Sequence, residues 1–394
     1  MKNNALAING GTPIRPTVLP YGRQDIDDDD IAAVVEVLKS DWLTTGPKVG
    51  EFEEAFAAFT GAAHAVAVSN GTAALHTATA ALDIKAGDEV IVTPMTFAAS
   101  ANCVLYQGGT PVFADVEADT LLIDPACVEA KITARTKAII AVDYTGQPCN
   151  YAALREIADK HHLALIDDAC HALGGSFRGQ SVGTLADLNT FSFHPVKHMT
   201  TGEGGIITTN DANLAARMRV FRNHGITTDH RQRAQTGSFF YEMVELGYNY
   251  RITDFQCALG LSQLRKLAEM VTKRQQIAAW YDAAFASFDY VHPLIVRDDV
   301  KHGYHIYVVR FDLEKLGMSK AQLFNALRAE NIGINVHYIP VHLHPYYREH
   351  LNTAPGLCPV AEAAYEQIIT LPLFSAMTEN DVNDVVAACR KLMN

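Results

Sequence analysis

The sequence predicts an α/β protein with a mainly parallel central sheet and a smaller α+β unit toward its C-terminal end. Short apolar runs alternate with amphipathic stretches through the first half of the chain. The runs are almost continuously apolar, as strands covered on both faces are. After Pro293 that rhythm stops, and strand and helix signals mix.

Taken in order, DDDDIAAVVEVLKSD (27–41) opens a helix with acidic residues, which suit the positive end of the helix dipole. AHAVAVS (63–69) is the first strand and runs into GTAALHTATAAL; DEVIVTP (88–94) is the second and precedes TFAASANCVLY. TPVFADV (110–116), KAIIAVDY (137–144) and LALIDDA (163–169) continue the series, with helical segments between them. LNTFSFH (188–194) and GGIITTN (204–210) are further strands that flank a TTGEGG turn. A long helix from about Thr253 to Phe285 starts at a capping-like Thr253-Asp254 pair. HIYVVRFD (305–312), a helix near SKAQLFNALRAE, a strand INVHYIP (334–340) and a terminal helix from about Glu379 complete the chain. The expected division is an N-terminal arm with a large domain over 1–265, and a small C-terminal domain over 266–394.

Composition narrows the function. With 48% hydrophobic and 19% charged residues among 394, the chain can bury a large core and keep a wet surface. A formal charge of −12 repels polyanions, which argues against nucleic acid as a partner. The seven cysteines are scattered without a CxxC pair, so neither a disulfide framework nor a zinc site is expected. No basic-then-apolar leader opens the sequence and no apolar run reaches the roughly 18–20 residues of a membrane span, so the expectation is a cytoplasmic enzyme.

The chemistry gathers at strand ends. LALIDDACHALGG (163–175) ends an apolar strand in two carboxylates at the edge where open α/β sheets bind ligands. Alternation sends Asp167 and Asp168 to opposite sides. In FSFHPVKHMTTGEGG (191–205) a single lysine, Lys197, follows an apolar strand, where partial desolvation makes its neutral amine available as a nucleophile toward an aldehyde. AVAVSNGTAAL (65–75) joins strand to helix through Asn70, Gly71 and Thr72, a junction whose free N–H groups attract an anion; Ser192 offers a second hydroxyl. Each signal alone has a bland reading, respectively a strand-end acid, a surface lysine and a common turn. Together they supply what pyridoxal 5'-phosphate needs: a carboxylate for the pyridine nitrogen, an amine for the aldehyde and donors for the phosphate.

The order NGTAAL, TPMTFAAS, DDACHALGG, FSFHPVKHMTTGEGG, RNHGI, GYNYRITDFQCALGLSQL and VHYIPVH resembles the DegT/DnrJ/EryC1/StrS family of sugar aminotransferases, from about Tyr21 onward. The resemblance implies fold type I of the pyridoxal-phosphate enzymes, with Lys197 as the Schiff-base lysine and Asp168 on the pyridine nitrogen. It implies Phe97 and His171 on the two faces of the cofactor ring, and Gly71, Thr72 and Ser192 on its phosphate. His171 has a rival reading as an ordinary core histidine. Asn249, in the GYNYR motif, would reach the phosphate of a neighbouring subunit, so a homodimer with shared active sites is implied. His337 and Tyr338 would contact sugar or diphosphate, and Arg251 a diphosphate oxygen, unless Arg251 is a plain surface ion pair. The cluster of His337, His342 and His344 lacks carboxylate or cysteine spacing and is not expected to hold a metal.

PYGRQDI, VDYTGQPCN, SFHPVK and HGIT look most like the family members of pseudaminic acid synthesis. That implies a UDP-linked 4-keto-6-deoxy sugar as acceptor and L-glutamate as donor, leaving 2-oxoglutarate; other UDP-, dTDP- or GDP-keto-sugars are the alternative. Two further readings are weaker. Sugar 3-dehydratases of this fold carry histidine in place of the lysine, and a non-catalytic descendant would tend to lose the acid or the lysine. Departures from the family are small: Asp167 stands where glutamate is frequent, and Gly202 where alanine is.

Overall fold

In a computed structural model, which describes residues 5–228, 233 and 236–393, seven strands form one large sheet. They are β1 (His64–Val68), β2 (Glu89–Val92), β3 (Thr110–Phe113), β4 (Thr136–Val142), β5 (Ala164–Asp168), β8 (Leu188–Ser192) and β9 (Gly205–Thr209). β6 (Ser176–Phe177) and β7 (Gln180–Ser181) lie outside it, pairing with β11 (Val300–Lys301) in a three-stranded sheet. The spatial order of the large sheet is β1-β9-β8-β5-β4-β2-β3. β8, β5, β4, β2 and β3 pair in parallel, whereas β9 runs antiparallel to both neighbours. The reason is the short link from β8: no crossover helix separates the two strands, so the chain turns straight back. The fold is thus the α/β, mainly parallel arrangement expected, and all seven predicted strands of this sheet form.

Both faces of the sheet are covered, and Val66, Ile91, Ile139, Leu165 and Leu188 have no accessible surface. β10 (Val291–Pro293), β12 (Tyr307–Phe311) and β13 (Ile368–Leu371) make a second antiparallel sheet. One expectation fails. INVHYIP is not a strand: its backbone bridges to Thr370 at Asn335, and the side chains of His337 and Tyr338 turn to Thr370 and His171.

The helix Asp254–Phe285 spans 32 residues, and its start is fixed by side chains. Gln256 Oε1 accepts from both the N–H and the hydroxyl of Thr253, at 3.1 and 2.7 Å. Asp254 turns away and caps the helix Pro47–Thr60 instead, accepting from the N–H groups of Gly46 at 2.7 Å and Lys48 at 2.9 Å. Along the long helix the apolar partners change. Leu267 and Val271 pack into the cluster around the large sheet, and Ile277, Ala278, Tyr281 and Phe285 into a second cluster with Val309, Ile369 and Val385. Leu6 and Leu19 of the N-terminal arm join that second cluster. None of the described helices is long and apolar enough to cross a membrane.

Candidate active site

The expected anion cradle lies at the carboxyl ends of the strands. The helix Gly71–Ala81 starts three residues after β1, and Asn70 caps it by accepting from Ala73 N–H at 2.8 Å. The amides of Gly71 and Thr72 sit in the first turn, where no intrahelical carbonyl can reach them, so they and the helix dipole attract an anion. Ser192, the last residue of β8, packs against this turn: a Cβ on Gly71 would stand 2.8 Å from the Ser192 Cβ. Gly205, opposite Val68 on one side and Ser192 on the other, makes the approach possible, because a Cβ there would stand 2.4 Å from the Asn70 carbonyl oxygen. Gly205 was not singled out from sequence, and its only signal was the pair of glycines in GEGG.

Asp168 ends β5 at the same edge. Its Oδ2 accepts from Ser100 Oγ at 2.6 Å and its Oδ1 from Cys170 N–H at 3.3 Å. Ser100, in the first turn of the helix Ala99–Tyr106, also shares a hydrogen bond with Thr96 Oγ1 at 2.7 Å. Asp167 faces the other way and is wholly buried; burial and then the nearby Asp143 carboxylate push it well above the usual carboxylate range. Alternation along β5 therefore gives the two acids different surroundings, as the sequence implies.

Lys197 lies in the turn after β8, with Nζ 3.3 Å from His305 Nε2. Burial holds its amine below the ordinary lysine range, with Arg274 acting the same way and Cys170 and Asp168 opposing. A lysine so placed can present a neutral, nucleophilic amine. Arg274, from the long helix, is itself buried, and burial brings its guanidinium down to about 10. His305 and Arg274 gave no sign in the sequence.

Around the lysine stand aromatic rings and neutral imidazoles. His171 is buried, with Nε2 3.1 Å from the Tyr338 hydroxyl and its ring 4.5 Å from that of His305. Burial and then the Lys197 charge hold His171 well below the ordinary histidine value. The same two causes bring His337 down to about 4. His337 Nδ1 lies 2.9 Å from Thr370 Oγ1, and its carbonyl accepts from the Tyr144 hydroxyl. The Phe97 ring, 63% exposed, lies 6.3 Å from that of Tyr338. Ser100 Oγ also donates to the Phe97 carbonyl at 3.3 Å and the His337 and Tyr338 rings lie 4.9 Å apart, so Lys197, Asp168, His171, Phe97, His337 and Tyr338 are linked through one chain of contacts that includes His305 and Ser100.

Two expected residues are not brought to Lys197 within the single chain. Asn249 is exposed and pairs through its backbone with Asn223. Arg251 donates to Asn223 Oδ1 at 3.0 Å and lines a separate cavity of about 460 Å³ with Glu53, Arg219 and Arg222. Of the three clustered histidines, His342 pairs with Glu362 at 2.9 Å and His337 with Thr370 at 2.9 Å. Among the described residues, no group of three or more His, Cys, Asp or Glu is arranged to hold a metal ion.

A cofactor with a phosphate, a ring nitrogen and an aldehyde finds a counterpart for each at this sheet edge, and the class so defined is the fold-type-I pyridoxal-phosphate enzymes. The chain belongs to the DegT/DnrJ/EryC1/StrS aminotransferase family, whose profile matches residues 24–390. It is 42% identical over 377 residues to the spore coat polysaccharide biosynthesis protein SpsC of Bacillus subtilis, covering 95% of this chain and 97% of that one. Its structure superposes with a TM-score of 0.88 on Helicobacter pylori PseC, an aminotransferase involved in pseudoaminic acid biosynthesis, at 34% identity and covering 96% of this chain and 99% of that one. The sugar aminotransferase Spr1654 of Streptococcus pneumoniae, described as putative and solved in its PLP form, also gives 0.88, at 32% identity over 96% of this chain and all (100%) of that one.

Proposed function

We propose that this aminotransferase moves the amino group of L-glutamate to C4 of UDP-2-acetamido-2,6-dideoxy-β-L-arabino-hexos-4-ulose, releasing 2-oxoglutarate. The observation that carries the reading is Lys197, a half-buried amine in the turn after β8, beside Asp168 at the end of the adjacent β5. Similarity to PseC supports the choice of sugar.

Pyridoxal phosphate fits the residues present: a Cβ would close the Gly71 cradle, the Asp168 side chain is held at the same edge by Ser100, and among the described residues His171 Nδ1 is buried without a partner. Gly71, Thr72 and Ser192 would hold its phosphate, Asp168 its ring nitrogen, Phe97 and His171 its two faces, and Lys197 its aldehyde. When bound, the cofactor supplies a carbonyl carbon that takes up and gives back nitrogen, and a ring that spreads negative charge. Asp168 would favour the protonated ring nitrogen by its charge. In the first half-reaction Lys197 Nζ takes the proton from the donor's α-carbon; in the second it delivers a proton to C4 of the sugar, and the face it delivers from fixes the configuration. Tyr338 and His337 would contact the sugar or its diphosphate, and Arg251 a diphosphate oxygen.

We read the enzyme as a homodimer in which Asn249 of one subunit completes the phosphate site of the other. The run before it supports this, with Phe239 92% and Leu246 77% exposed, more apolar surface than an isolated subunit would leave open. We assign 1–265 to the arm and large domain and 266–394 to the small one; the apolar partners of the long helix change between Val271 and Ile277, about two turns beyond that boundary. Seven unpaired cysteines fit a reducing compartment such as the cytoplasm.

The test incubates the purified enzyme with pyridoxal phosphate, glutamate and UDP-, dTDP- and GDP-keto-sugars, reading 2-oxoglutarate, product mass and NMR configuration. Turnover of only a dTDP- or GDP-sugar removes the proposed acceptor but not the class. A second reading, another keto-sugar destined for a surface polysaccharide, draws on the higher identity with SpsC, 42% against 34% for PseC.

A further inference from the structure

We infer that His305 is a further catalytic residue, the hydrogen-bond donor that aims the Lys197 amine, and that Arg274 sets the spacing of the pair by gripping the carbonyls of both. The inference rests on the reading of Lys197 as the amine that carries the nitrogen.

The direction of the His305 bond follows from what is left over. Nε2 lies 3.3 Å from Lys197 Nζ, while Nδ1 is buried with no hydrogen-bond partner among the described residues. A stranded buried N–H is rarer than a stranded acceptor, so the ring proton belongs on Nε2 and points at the lysine. Only a neutral amine has a lone pair to receive it. Burial, with the Arg274 charge acting the same way, keeps His305 itself uncharged. Facing Lys197 are Asp168 and Cys170, which favour its charge, and Arg274, which opposes it.

Arg274 has no carboxylate partner among the described residues, which is costly for a guanidinium with 1% of its surface exposed. Instead its Nη1 donates to the carbonyls of Tyr304 at 3.3 Å, His305 at 3.1 Å and Leu373 at 3.2 Å, and its Nη2 to that of Lys197 at 3.4 Å. The fork therefore ties the peptide that carries the amine to the peptide that carries its imidazole. A lysine at 274 keeps the charge but cannot span these four oxygens.

The test uses the cofactor-free full chain, trace-labelled with acetic anhydride across pH, with acylation of Lys197 and exposed Lys85 measured by mass spectrometry. In the parent enzyme, Lys197 reacts at lower pH than Lys85. His305→Asn, which has no donor at the Nε2 position, moves the Lys197 profile up by about one pH unit, roughly a tenfold loss of rate near neutrality. His305→Gln, whose amide N–H reaches that position, restores most of it. A purely structural role would not separate the two. Arg274→Lys moves the profile the same way, and adding it to His305→Asn changes little further. Equal profiles for the two His305 variants, or a downward shift in His305→Asn, overturn the donor role; an Arg274→Lys profile like the parent's overturns the spacing role. If parental Lys197 reacts no sooner than Lys85, the underlying reading of Lys197 falls instead.

Discussion

Ser100 Oγ donates to Asp168 Oδ2 at 2.6 Å, joining the first turn of the helix Ala99–Tyr106 to the end of β5. This bond aims the carboxylate that would face the cofactor ring. Ser100→Ala should lower kcat by about tenfold, the worth of one hydrogen bond to a charged group, with little change in cofactor affinity. Steady-state kinetics beside a cofactor titration decide it; an unchanged kcat would mean that the carboxylate is held well enough by Cys170 N–H alone.

Asp168→Asn removes the charge and keeps the shape. The expected loss in kcat is roughly 10²–10³-fold, because the interaction is stronger as charge develops than at rest. Phosphate binding should persist, so fluorescence titration with pyridoxal phosphate should still saturate. Loss of binding in step with activity would reassign Asp168 to a structural role.

Gly71→Ala puts a Cβ 2.8 Å from that of Ser192 and pushes the phosphate cradle open. Affinity for pyridoxal phosphate should fall by about tenfold or more, while affinity for pyridoxal, which lacks the phosphate, changes little. Equilibrium dialysis with both ligands separates the cradle from a general loss of packing.

Shared sites predict complementation. Lys197→Ala and Asn249→Ala dimers are each inactive or nearly so, but re-assembly of an equal mixture makes about half the dimers mixed, each with one intact site. About a quarter of parental activity should return, and none returning at any ratio would argue that Asn249 serves its own chain.

Acid should weaken the fold. His302 and His337 are brought down to about 3 and about 4 by burial, with the Lys197 charge adding at His337. The unfolded chain therefore takes up protons that the folded one refuses. Their contribution is complete above the ordinary histidine value and is lost as pH falls toward those two values, at up to about 1.4 kcal/mol per pH unit for each. Buried Asp143 and Asp167, whose carboxyls burial raises, act in the opposite sense, so the check is a comparison: between about pH 7 and about pH 5 a His302→Gln variant should lose less stability to urea than the parent, and equal losses would contradict it.

The large sheet was legible because its strands are apolar on both faces and end in turns. β6, β7 and β11 were not, since two residues carry no period. INVHYIP has the composition of a strand, but hydrogen bonds to Thr370 and His171 draw off His337 and Tyr338. In the site, Lys197 and Asp168 could be read because each ends an apolar run. Ser100, His305 and Arg274 could not, because their partners lie 68, 108 and 77 residues away in the chain. A single sequence carries no trace of such distant pairings.

The 32-residue helix Asp254–Phe285 is a wall of both apolar clusters. Neither cluster can melt by itself without unravelling a rod on which the other is built. Heat or denaturant should therefore dismantle the subunit in one cooperative event, and damage far from the lysine, anywhere along that rod, will be felt as a loss of the whole.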